Sequence, residues 1–176
     1  MDNREKIGAV QPGREKIYTL DELLKVMEPQ YQVYKFTMRQ CIAGLTEHAA
    51  RLAAQGQEKS LPQLRRLCIE MAEFWGLTED DTPKGYQEMA DHFGSTFDSA
   101  VSAARDSGQA PELSAQAKQN ILDGLELYAQ EMRLNDGELE VWAVECDILA
   151  EDLEEQWQLE TAAAGQTAPQ MNGMNL

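Results

Sequence analysis

Apolar residues in this chain recur every three or four positions in one segment after another, and that spacing limits the fold more than any other feature. Between Gln30 and Ala54 the stripe is Tyr34, Met38, Cys41, Ile42, Leu45, Ala49 and Leu52. Such a period places apolar side chains on one face of an α-helix. No window shows sustained period-two alternation flanked by hairpin turns, which is what strands would require. The expected fold is all-α, a single helical-bundle-like domain of five to six helices joined by short loops.

Local signals place the boundaries. Thr19-Leu-Asp-Glu22 is a capping-box pattern that starts the first helix. Pro29 either kinks that helix or begins a second one, and Gly56 ends the segment. Ser60 with Pro62 in the first turn opens the next helix, with Leu64, Leu67, Cys68, Met71, Phe74 and Trp75 as its buried stripe and Gly76 as its stop. A loop over 77–82 leads to Pro83, which opens a helix carrying Tyr86, Met89, Ala90 and Phe93 inward. Gly94 is a candidate break, after which Phe97, Ala100, Val101 and Ala104 continue the pattern to about Asp106. After a turn over 107–111, Ser114 caps a helix with Ala117, Ile121, Leu125, Tyr128 and Met132 on one face. Asn135-Asp136-Gly137 signals a turn. The last helix is expected over 138–160, with Leu139, Trp142, Cys146, Leu149, Leu153 and Trp157 as its stripe.

The helical domain thus spans 19–160. Residues 1–18 are expected as a flexible arm, because Gly8, Pro12 and Gly13 interrupt any helix. The arm holds Arg-Glu-Lys-Ile twice, at 4–7 and 14–17; a docking role for Ile7, Val10, Ile17 and Tyr18 is the alternative reading. Residues 161–176 are small and polar, with Gly165, Pro169 and Gly173, and are expected as a disordered tail.

Charge is divided unevenly along these elements. The net charge is −16. Residues 1–66 hold 11 Lys/Arg and 8 Asp/Glu, whereas 67–176 hold 4 and 23. Arg133 is the last cation, and ten carboxylates follow it. This composition argues against direct nucleic-acid binding, which draws on Lys/Arg clusters. No hydrophobic run is long enough to span a bilayer, and the N-terminus lacks the apolar segment of a secretory signal. Cys41, Cys68 and Cys146 are odd in number, far apart and at apolar helical positions. They are expected as reduced core thiols in a cytoplasm, that of the source organism or of a host cell.

Motifs for chemistry are sparse. No Gly-x-Ser-x-Gly elbow, phosphate loop, dinucleotide glycine pattern, Cys-x-x-Cys or His-x-x-x-His occurs. The histidines are His48 and His92; His48 lies seven residues after Cys41, a spacing any amphipathic helix produces, and is expected to be solvated. One carboxylate pattern stands out: Glu70-Met-Ala-Glu73 followed by Glu88-Met-Ala-Asp91. It resembles the Glu-x-x-Glu…Glu-x-x-Asp signature of the all-α nucleoside triphosphate pyrophosphatases, the MazG and dimeric dUTPase group. The resemblance covers only the stretch from Glu70 to Asp91. It implies that Glu70, Glu73, Glu88 and Asp91 hold Mg²⁺, which binds substrate phosphates and activates water. Lys118 would then be the candidate for a downstream substrate-directed cation.

The stronger expectation is non-catalytic and needs no cofactor. The last helix carries Glu138, Glu140, Glu145, Asp147, Glu151, Asp152, Glu154 and Glu155 without a Lys or Arg to offset them. Like charges at helical spacing repel, and acids near a helix C-terminus oppose its dipole. A helix selected for stability alone would mix signs, so the imbalance points to an interaction. The expected partner is a basic protein, such as a nucleic-acid-binding enzyme, engaged by these carboxylates and the adjoining Glu79, Asp80 and Asp81. Carboxylates spaced along a rigid rod imitate nucleic-acid phosphates, so an adaptor or an inhibitor fits. Oligomeric state is not readable from the sequence.

Overall fold

The computed structural model describes residues 19–78, 85–138 and 140–174, with backbone alone from 161 onward. The expected arm over 1–18, Pro83 and Leu139 lie outside the described residues. All regular structure among the described residues is helical, in five helices. They are α1 (Leu20–Ala54), α2 (Leu61–Trp75), α3 (residues 86–107), α4 (Ala115–Asp136) and α5 (Val141–Met174). Within α3, Tyr86–Met89 and Ser95–Ser107 flank a π-helical turn, Ala90–Gly94. None of these helices is long and apolar enough to cross a membrane.

The expected caps form in two of three places. Thr19 N–H donates to Glu22 Oε2 at 2.9 Å. Glu22 N–H donates to Thr19 Oγ1 at 3.2 Å. This is the reciprocal pair of a capping box. Ala117 N–H donates to Ser114 Oγ at 3.0 Å. Ser60 occupies the cap position of α2, but its hydroxyl caps nothing, because its backbone is already αR rather than extended. Pro29 lies inside a continuous α1. Gly94 does not end a helix: the hydrogen bonding widens to the π pattern and α3 continues. At the far end, helical backbone runs through 161–174, past Glu160; Ala162, Ala163 and Ala164 have the highest helix propensity of any residue type.

The chain divides into two compact units, Met1–Phe36 and Thr37–Leu176. In the first, the described part is the opening half of α1, where Leu20, Met27, Tyr31 and Phe36 are exposed. In the second, residues 37–54 of α1 bury the expected stripe, with Met38, Cys41, Leu45 and Ala49 fully covered. Ile69, Met71, Ile121, Leu125, Tyr128 and Cys146 complete the middle of this core. Phe74 departs from its expected place: it is half-exposed and meets Trp75 and Tyr128 edge-on, at centroid distances of 5.3 and 5.7 Å.

A tight crossing joins α1 to α4. A Cβ at Gly124 would lie 2.2 Å from Cys41 Cβ, and one at Gly44 would lie 2.7 Å from Ile121 Cγ1. Only glycine allows the backbones to approach this closely. The Cys41 thiol uses the space by donating to the Ile121 carbonyl at 3.5 Å. α2 packs against α3, and Arg65 passes Gly94 to make a two-pronged hydrogen bond to Asp98 at 2.9 and 3.1 Å. α4 also packs along α5.

Candidate functional site

That pairing begins at a short connection. Gly137 takes φ of +97°, a conformation that side chains disfavour, and lets the chain reverse between α4 and α5. Glu140 then caps α5. Its carbonyl accepts from Val144 N–H. Its carboxylate accepts from Ala143 N–H at 2.8 Å, satisfying a donor that the helix leaves open. Arg133 ties the two helices together. Its guanidinium donates to the Asp147 carboxylate and to the Glu138 carbonyl. The hydrogen bond to Asp147 holds the Arg133 pKa above its ordinary value.

With this connection α4 and α5 run antiparallel. Side chains from both helices line a groove of about 340 Å³. Gln119, Asp123 and Glu126 line one wall, and Asp147, Glu151 and Glu154 the other. Leu122, Cys146 and Ala150 also line it and supply apolar surface. Five carboxylates from two helices therefore border one cleft. Asp123 and Glu126 stand about 4.5 Å apart along their helix and the seven steps from 147 to 154 span about 10 Å, close to the screening length of physiological salt, so neighbouring charges in the groove feel one another. Asp147 is paired with Arg133. Among the described residues, no ion pair engages Asp123, Glu126, Glu151 or Glu154. Asp123 accepts a neutral hydrogen bond from Gln119 at 2.8 Å, and Glu126 one from Gln130 at 3.5 Å.

The predicted binding residues thus separate into several roles. Glu151 and Glu154 line the groove, as does Asp147. Glu140 serves α5 as a cap, and Glu145 accepts from Gln63 of α2 at 3.4 Å. Glu138 is exposed, 3.7 Å from Arg133. Asp152 and Glu155 are exposed outside the groove. Glu79, Asp80 and Asp81 lie outside the described residues. Asp123 and Glu126 were not singled out from the sequence. Their signal is the spacing Gln119, Leu122, Asp123, Glu126, which repeats at three, four and seven on the face of α4 turned to α5.

Beneath the groove the chemistry is quiet. Burial pushes the Cys146 thiol up to about 12, with Asp147 adding to the effect. Burial likewise raises Cys68 to about 12 and Cys41 well above its ordinary value. All three cysteines are free and buried, so they are protonated core side chains at neutral pH. His48 is not solvated as expected; it is 4% exposed, and burial lowers its pKa to about 4.

The four carboxylates of the pyrophosphatase-like pattern occupy neighbouring helices, since α2 packs on the start of α3. Glu70 is half-buried, and burial first, then Glu73, raises its pKa. Glu73, Glu88 and Asp91 are exposed, and Asp91 accepts from Gln87 at 2.9 Å. Among the described residues, no three His, Cys, Asp or Glu side chains are gathered so as to hold a metal ion. The helices that carry the pattern are thus neighbours, but among the described residues its carboxylates are not gathered into one group.

The chain matches no family model, no curated protein and no solved structure. Its functional reading rests on the groove.

Proposed function

We propose that this protein is a non-catalytic binding protein, an adaptor or an inhibitor, whose α4–α5 groove engages a basic surface of another protein. The observation that carries the reading is the convergence of Asp123, Glu126, Asp147, Glu151 and Glu154 on one cleft with an apolar lining. Lysine and arginine suit such a cleft, because their methylene stems cover apolar surface while the charged heads reach a polar rim. Two rows of carboxylates on antiparallel rods also present negative charge as the two strands of a nucleic acid do. A protein that normally grips phosphates would meet a comparable field. The free thiols suit a reducing cytoplasm.

The test is capture from cell extract on the immobilised protein, at low and at high salt, beside a variant carrying Asp123→Asn, Glu126→Gln, Glu151→Gln and Glu154→Gln. A basic protein should bind the wild type at low salt, leave at high salt and be absent from the variant. Displacement of that protein by double-stranded DNA would support the phosphate-mimic form of the reading. Equal capture by wild type and variant would sink it.

A further inference from the structure

His48 sits in the buried stripe of α1 with Cys41, Leu45 and Leu52, and its Nδ1 is buried with no hydrogen-bond partner among the described residues. Its ring meets Trp157 edge-on, at a centroid distance of 6.3 Å and an interplanar angle of 85°. Trp157 is the outermost side chain described as buried on α5. Lys118 of α4 places its ammonium 5.6 Å from the centroid of the same indole.

Two cations stand near this contact, Arg51 beside His48 and Lys118 beside Trp157. Arg51 stands one turn after His48 and pairs at 3.7 Å with Glu112, whose carboxylate is almost wholly exposed. Lys118 comes from α4. On α5 the nearest carboxylates in sequence are Glu155 and Glu154 before Trp157 and Glu160 after it, and all are exposed. Glu47, beside His48 on α1, is exposed as well. Protonation of His48 would thus add a cation close to Arg51, in a buried ring whose Nδ1 has no acceptor beside it.

We propose that His48 is a pH-sensitive latch: neutral, it holds the outer end of α5 through Trp157, and on taking up a proton it releases that end. Burial and, secondarily, Arg51 keep the closed imidazole neutral to about pH 4. In the released state the ring regains an ordinary pKa near 6.5. The closed form therefore binds its proton later than the open form, so closure is strongest above pH 6.5 and weakens as the pH falls toward 4. The gap between those values caps the rise in the open population at about 300-fold. Glu154 lines the groove one turn before Trp157, so release would also take one wall of the groove apart. The latch does not depend on whether the groove binds a partner.

The experiment is amide hydrogen exchange by NMR on the whole chain from pH 7.5 to 4.5, corrected for the intrinsic pH dependence of exchange. The ring signals of His48 are followed in parallel. Residues 150–158 should exchange tens of times faster at the acid end, while 121–129 of α4 change little; the acceleration should set in below about pH 6.5, ahead of the His48 ring signals, which report mainly the closed form and titrate near 4. His48→Phe keeps an aromatic edge on Trp157 and carries no proton, so it should remove the acceleration; His48→Gln, polar and non-titrating, should do the same. Wild-type exchange that is flat with pH, that accelerates only once the closed ring titrates near 4, or that speeds equally in α4 would overturn the latch. So would an unchanged acceleration in either variant.

Discussion

Gly124→Ala probes the tight crossing of α1 and α4. The new Cβ would stand 2.2 Å from Cys41 Cβ and 2.5 Å from its Sγ. Ordinary van der Waals contact begins at 3.4 Å. The two helices must therefore part by roughly 1 Å before the carbons reach a normal separation. Rotation of the cysteine relieves the sulfur contact but not the Cβ contact, because Cβ is fixed to the backbone of α1. Overpacking of this kind costs about 1–3 kcal/mol, and here the upper end applies because both partners are helical backbone. Alanine is better than glycine in a helix by about 1 kcal/mol, which offsets part of the loss. The net expectation is a destabilisation of about 2 kcal/mol, read in urea as a midpoint about 1 M lower. The assay is equilibrium unfolding followed by far-ultraviolet circular dichroism. Cys41→Ala in the same background keeps the offending Cβ and should not restore stability. Cys41→Gly removes it and should restore part, giving a favourable coupling in the double-mutant cycle. A Gly124→Ala protein as stable as the wild type would refute the crossing geometry.

Other expectations follow from the same structure. Glu151→Gln and Glu154→Gln should each raise stability at low salt by a few tenths of a kcal/mol, since they relieve repulsion, and the gain should fade as salt is added; a loss at low salt would contradict the reading of unpaired charge. Arg133→Ala should lower the melting temperature, and Arg133→Lys should recover only part, because a lysine cannot bridge Asp147 and the Glu138 carbonyl with one planar fork. A thiol reagent at pH 8 should leave Cys41, Cys68 and Cys146 almost unmodified in the folded protein and react with all three in denaturant. The thiols ionise later folded than unfolded, so stability should decline as the pH rises from about 9 toward 12; alkaline unfolding curves on the triple alanine variant should lose that component.

Local order was largely legible, and the exceptions have physical causes. Thr19 with Glu22 and Ser114 act as caps because capping needs residues only three apart. Ser60 carries the same chemistry, but its backbone conformation is set by the turn before α2. The α1 stripe from Met38 to Leu52 is buried as its period requires, whereas Leu20, Met27 and Tyr31, which continue the same period in the sequence, are exposed. Periodicity gives a face and does not say what covers it. His48 reads as a solvated histidine on composition, yet it falls on that stripe seven residues after Cys41 and is carried inside with it.

Two properties of this protein reside in the order of its residues alone. Apolar spacing dictates helices, because a period near 3.6 cannot bury one face of a strand. The excess of carboxylates after Arg133 is also a matter of composition, and no folding alters it. Which carboxylates act together was decided only by tertiary structure. Packing α4 on α5 joined Asp123 and Glu126 to Glu151 and Glu154, gave Asp147 to Arg133 and left Asp152 and Glu155 apart, while the turn between the two helices made Glu140 a cap. The fold also set His48 against Trp157, which is far from it in the chain. Charge sums along a chain, but an electric field and a desolvated proton site depend on distances between helices, and those distances come from how the side chains of two faces fill the space between them.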